Sequence, residues 1–95
     1  MGKVTVIAIL GLDLWFNSSD HLPPHFHAAK AGHWEIRVYL LTTTLGALDW
    51  KFKWQKSKSG PTTKELQDLR TAVCANRVKL LAEWESKVVL SEEPK

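Results

Sequence analysis

The apolar residues of this chain change period once, at Gly60-Pro61, and that change constrains the fold more than any other feature. Upstream, "HFHAA", "HWEIRVYLL" and "DWKFKWQ" alternate apolar and polar residues with a period of two, as strands with one buried face do. Downstream, Leu66, Leu69, Val73, Leu80, Trp84 and Val88 recur at steps of three, four or a double step. That spacing predicts one apolar stripe on a helix over residues 63–88. Thr62 and Glu65, directly after Pro61, have the spacing of a capping box and mark its start. Asn76 falls on the stripe where an apolar residue is due, so it marks a kink or a break into two helices. Strands first and helix last predict an α+β fold: an antiparallel sheet of about four strands, packed on one face by a C-terminal helix or helix pair.

The first strand is expected in "VTVIAIL", residues 4–10, a continuous β-branched and apolar run that bends at Gly11 and continues as "LDLWF". "NSSDHLPP" reads as a loop and "SKSGP" as a break. The 95 residues make one domain, 1–95, with one modest core. A composition of 44% hydrophobic and 24% charged residues belongs to a folded chain, with fraying expected in "SEEPK". No stretch reaches the ~18 apolar residues needed to cross a bilayer, so no membrane association is expected. "KVTVIAILGL" has the charged and apolar parts of a signal peptide, but "DLWF" follows without a small-residue cleavage site. The expected location is the cytoplasm. Cys74, the single cysteine, excludes an internal disulfide and a cysteine-based zinc site, and it reads as a small buried hydrophobe beside the helical stripe.

Function has to be sought around "DHLPPHFHAA", where three histidines fall within seven residues. The hairpin that follows decides which way they point. A two-residue turn at Ala31-Gly32 would mix apolar and charged side chains on both faces. A three-residue turn ending in Gly32 pairs His27 with Glu35, Phe26 with Ile36 and His25 with Arg37. Phe26, Ala28, Trp34, Ile36 and Val38 then share one face, and His25, His27, Glu35, Arg37 and Tyr39 share the other. Register follows the apolar face, which selects the second arrangement. His25 and His27 then project on one side about 6.5–7 Å apart, with His21 in the adjoining loop.

Three chemistries fit that cluster. His25 and His27, with His21 or Glu35, have donor types that suit a divalent metal such as zinc, nickel or iron. Alternatively, the imidazoles do acid–base work on a phosphodiester held by Arg37. No nucleophile stands out for that role; Ser18 and Ser19 lie in the adjacent loop. In the third reading the face is a hydrogen-bonded polar surface for a partner. A second feature, "WKFKWQKSKS", interleaves aromatic residues with lysines, and Lys51, Lys53, Trp54, Lys56 and Lys58 are candidates for nucleic-acid contact. Period-two alternation also explains it as a strand with aromatics inward and lysines outward, the lysines blocking edge-to-edge pairing. The net charge of +3 permits an acidic partner without requiring one.

"DHLPPHFHA" resembles the signature of the small bacterial proteins grouped as domain of unknown function 4160. There a strand leads into an "HxPPHFH" motif, an alternating strand and a C-terminal helix ending in an "LLxxWE"-like segment. Here "LWFNSSDHLPPHFHAAKAGHWEIRVYL" and "RVKLLAEWE" supply those parts. The family's short acidic turn before the helix is replaced by "LGALDWKFKWQKSKSG". The resemblance implies that His21, Pro23, Pro24, His25 and His27 act as a unit, and it implies a link to toxin–antitoxin-like gene pairs. The combined expectation is a small cytosolic binding or accessory protein that works through its histidine face with a protein partner. The alternatives are a metal-dependent or histidine-based hydrolase, a nuclease included, and a nucleic-acid-binding module. Five tryptophans in so short a chain also permit a homodimer.

Overall fold

The structure is a computed structural model that describes residues 2–17, 22–56 and 60–88. Five strands precede one helix: β1 (Gly2–Lys3), β2 (Asp13–Phe16), β3 (His25–Lys30), β4 (Trp34–Tyr39), β5 (Trp50–Gln55) and α1 (Thr63–Lys87). The strands form a single sheet in chain order, each antiparallel to the next. This is the expected α+β architecture, with a two-residue strand added at one edge.

The helix forms for the reasons its spacing implies. Thr62 caps it by accepting from the Glu65 N–H at 3.1 Å, while Glu65 Oε1 accepts from the Thr62 N–H at 2.9 Å. Leu69, Val73, Leu80 and Trp84 are buried, and they meet Phe16, Phe26, Ala28, Trp34, Ile36 and Val38 of the sheet in one core. Each large side chain buried there contributes roughly 1.5–3 kcal/mol. At Asn76 the backbone leaves helical geometry (φ −127°, ψ 21°), and the side-chain amide donates to the Ala72 carbonyl at 3.0 Å. A side chain competing for a ladder carbonyl bends the helix without ending it, so Asn76 is a kink. Cys74 is half-buried rather than fully buried.

The strand expected over residues 4–10 does not form. Val4 and Ile7 are buried three residues apart, while Leu10 is fully exposed, so the run presents no strand face. Val4 N–H still donates to the Leu14 carbonyl at 3.0 Å, and there the strand pairing stops. The next two amides go to a side chain. Glu83 of α1 accepts from Thr5 N–H at 2.9 and 3.1 Å, from the Thr5 hydroxyl at 2.7 Å and from Val6 N–H at 3.2 Å. Lys87 approaches the same carboxylate at 2.6 Å and also donates to the Lys3 carbonyl at 2.7 Å. A helical carboxylate thus occupies the place of a neighbouring strand. Gly11, at φ +86°, then returns the chain to β2.

The β3–β4 register also differs from expectation. His27 pairs with Arg37, His25 with Tyr39 and Ala29 with Glu35, a slip of two residues from the arrangement derived above. The turn runs through Ala31, Gly32 and His33, closed by His33 N–H on the Lys30 carbonyl at 2.8 Å. Gly32, at φ +80°, holds the third position of that four-residue turn, where a type II turn needs positive φ. A slip of two keeps every side chain on its face, so the apolar and polar faces are as expected.

Candidate functional site

The polar face is built by rows of cross-strand neighbours. One row runs Trp15, His27, Arg37, Lys51 across β2 to β5. A second pairs His25 with Tyr39, and a third runs Asp13, Ala29, Glu35, Trp54. The third row depends on an irregularity. The β4–β5 register shifts between Glu35 and Ile36, so Ile36 faces Phe52 while Glu35 faces Trp54, and Lys53 is the extra residue. Strict alternation would have sent Trp54 inward with Trp50 and Phe52. The bulge brings it to the polar face instead, together with the Lys53 ammonium.

Both strand histidines are buried, with His27 2% and His25 7% exposed. His27 stacks on Trp15 with ring centres 5.5 Å apart and planes within 16°. Its Nε2 lies 3.1 Å from the Asn17 amide nitrogen, and its Nδ1 lies 3.4 Å from Glu35 Oε2. An amide donor on Nε2 assigns the proton to Nδ1, toward the carboxylate. His25 meets His27 edge-on at 5.2 Å. Its Nδ1 lies 2.8 Å from the Pro23 carbonyl, which can only accept, so the lone pair is on Nε2. Asn17 and Glu35 thus hold one ring, and the proline loop holds the other.

Glu35 is the hub of this face. Oε1 accepts from the Trp54 indole N–H at 3.1 Å, and Oε2 lies 3.5 Å from Lys53 Nζ. Arg37 is different. It is half-buried, and among the described residues its guanidinium makes no hydrogen bond or ion pair. A cleft of about 270 Å³ opens there, lined by Asn17, Leu22, Pro23, His25, His27, Arg37, Tyr39 and Lys53. A second hollow of similar size, lined by Thr42, Asp49 and Lys51, shares Pro23 and Tyr39 with it.

The candidates drawn from the sequence therefore divide. His25, His27, Glu35 and Arg37 come together as expected, although Glu35 touches His27 diagonally rather than from directly opposite. Lys53 and Trp54, assigned to a separate nucleic-acid feature, join the same face, and Lys51 completes its central row. Lys56 is exposed just beyond β5, its amide bonded to the His33 carbonyl at 2.9 Å. His21 and Lys58 lie outside the described residues, as do Ser18 and Ser19. Among the described residues no group of three His, Cys, Asp or Glu side chains is placed to hold a metal ion. Asn17 was not anticipated, and no periodic signal marks it; Trp15 could have been found by extending the alternation back through "LWF".

A family model described as domain of unknown function 4160 (DUF4160) matches residues 11–85. The chain belongs to that family. No curated protein and no solved structure matches it. Every residue lining the cleft falls inside the DUF4160 span, while Thr5 and Lys87, which hold Glu83, fall outside it. Among the described residues no helix is long and apolar enough to cross a membrane.

Proposed function

We propose that this DUF4160 member is a small binding or accessory protein whose histidine face takes up an anionic group presented by a partner. The observation that carries the reading is Arg37, a half-buried guanidinium in the cleft wall without a carboxylate among the described residues. Glu35, two residues along β4 on the same face, is engaged by Trp54, Lys53 and His27. Guanidinium geometry matches carboxylate and phosphate oxygens. A site in the cytoplasm and an association with toxin–antitoxin-like gene pairs fit a protein that acts by binding.

Binding is favoured over catalysis by the state of His27. Both its ring nitrogens face protein groups, Asn17 and Glu35, so neither is placed to exchange a proton with a substrate or to ligate a metal without rearrangement. A hydrolase is the second reading, supported by the placing of His25 beside Arg37 and Tyr39 in the cleft. A metal-dependent version would need His21 as a further ligand.

Titration with inorganic phosphate, followed by NMR of the arginine and imidazole resonances, tests the main reading. Saturable shifts at Arg37 and His25, lost in Arg37→Ala, are expected. Their absence at high-millimolar phosphate would refute it. Phosphodiester cleavage that disappears in His25→Ala would favour the hydrolase, and zinc or nickel binding tighter than micromolar, lost in the same variant, its metal-dependent form.

A further inference from the structure

We infer that the occupant of this face is a single-stranded nucleic acid, with a backbone phosphate at Arg37 and a base stacked on Trp54. The inference rests on the anion-binding reading above and names its ligand. Three features point to a nucleic-acid strand rather than to an acidic protein segment.

The first is the line of cations. Arg37 and Lys51 are direct cross-strand partners, and Lys53 follows Lys51 along β5. Residues two apart on a strand are separated by about 6.5–7 Å, which is comparable to the step between phosphates of an extended single strand. The second is the set of rings between those cations. Trp15 and Tyr39 are half-buried, and Trp54 is 43% exposed, all on the polar face. Carboxylates on a protein partner would engage the cations and leave the exposed indole without a role. Bases have a π-face for each ring, and stacking interleaved with basic side chains is how sequence-tolerant single-strand sites work. The third is the anchoring of Trp54. Its N–H edge is tied to Glu35 at 3.1 Å, so the indole is held in one orientation before a ligand arrives. A fixed platform loses little side-chain entropy when a base stacks on it.

Among the described residues β5 pairs with β4 alone and is the last strand of the sheet. A strand crossing Arg37 and Lys51 can run off that edge past the exposed Lys56. The overall charge of +3 favours approach of a polyanion.

The test is fluorescence anisotropy of the full chain with labelled single-stranded oligonucleotides, a duplex of the same length and a polyglutamate peptide, at several salt concentrations. Preferential binding of the single strands is expected. Lys51→Ala should lower the slope of log affinity against log salt by about 0.7. Trp54→Ala should weaken binding roughly five- to a hundred-fold, and Trp54→Phe should restore part of it. Lys51 is exposed, and among the described residues it has no ion pair, so its variant tests the site without disturbing the fold. If polyglutamate binds in an Arg37-dependent way and the oligonucleotides do not, this inference falls while the anion-binding cleft stands. If no polyanion binds and the phosphate titration is silent, both fall. Oligonucleotide binding that is unchanged by Lys51→Ala and Trp54→Ala also overturns the inference.

Discussion

Two buried glutamates sit on opposite sides of this small sheet. Glu83 and Glu35 are 8% and 9% exposed, yet they are held in different ways. Glu83 receives two backbone amides, a hydroxyl and a lysine, all at 3.2 Å or less. Both its oxygens accept from backbone amides, which cannot be withdrawn without moving the chain. Glu35 receives one indole N–H at hydrogen-bond distance, while its other oxygen lies 3.4–3.5 Å from His27 and Lys53. Its partners are side chains bordering a cleft. A carboxylate that replaces a missing strand is structural. One that gathers an imidazole, an ammonium and an indole beside Arg37 orients a surface, and it can adjust when that surface is occupied.

The sharpest way to break this contrast is to remove Glu83. Glu83→Ala leaves the Thr5 and Val6 amides without their acceptor and the segment before β2 without its anchor. Losing several charge-assisted hydrogen bonds at a buried site should cost about 2–4 kcal/mol, read from the midpoint of urea unfolding. A loss below about 0.5 kcal/mol would mean that the segment is held without its clasp.

Acid should act on the same contacts. Burial, the largest single influence on Glu83, pushes its pKa up. The Lys87 ammonium, the Thr5 hydroxyl and the Thr5 and Val6 amides outweigh burial, and the net value lies below the ordinary 4.5. The unfolded chain therefore takes up this proton first as pH falls. The stabilisation is fully present above pH 4.5 and is lost as pH drops through the depressed folded value. Unfolding midpoints between pH 3 and 7 should fall more steeply for the wild-type chain than for Glu83→Gln. Parallel profiles would show that the clasp does not depend on ionisation.

Glu83's role was not legible from local sequence, whereas Glu35's place beside His27 was, though not its contacts with Trp54 and Lys53. The run "VTVIAIL" carries the same apolar signal for a strand as for a coil packed on a core, and its actual partner lies 78 residues away. The hairpin shows what parity can and cannot supply. Its faces follow from alternation alone, which placed His25, His27, Glu35 and Arg37 together. Its register depends on where Gly32 falls in the turn, and a slip of two residues leaves the faces identical. The bulge at Lys53, which turns Trp54 toward Glu35, leaves no periodic mark, so "WKFKW" read as a separate feature. The helix was the most legible element, because its cap, its stripe and the interruption at Asn76 are all local.

Glu35→Gln sharpens the comparison from the other side. Glutamine keeps an acceptor for the Trp54 indole and removes the charge facing His27 and Lys53. Because those two contacts lie at 3.4–3.5 Å at the edge of a cleft, stability should change by less than about 1 kcal/mol. The ring of His27 should respond more. With no carboxylate beside Nδ1, the balance of the two neutral tautomers should shift away from Nδ1–H, visible in the ring nitrogen chemical shifts. Unchanged ring shifts would mean that Asn17 alone sets the tautomer.

The smallest expected effect is the most discriminating. Arg37 sits in the central row between His27 and Lys51, and among the described residues nothing accepts from its guanidinium. Removing it strands no buried acceptor and breaks no ion pair there, so Arg37→Ala should change stability by no more than about 0.5 kcal/mol, apart from the packing of its aliphatic stem. The same substitution should abolish the phosphate-induced shifts at His25. A residue whose loss leaves the fold intact and empties the site contributes to binding. If Arg37→Ala instead destabilises the chain as strongly as Glu83→Ala, the guanidinium is part of the scaffold. The two sides of the sheet would then differ only in which charges hold them together.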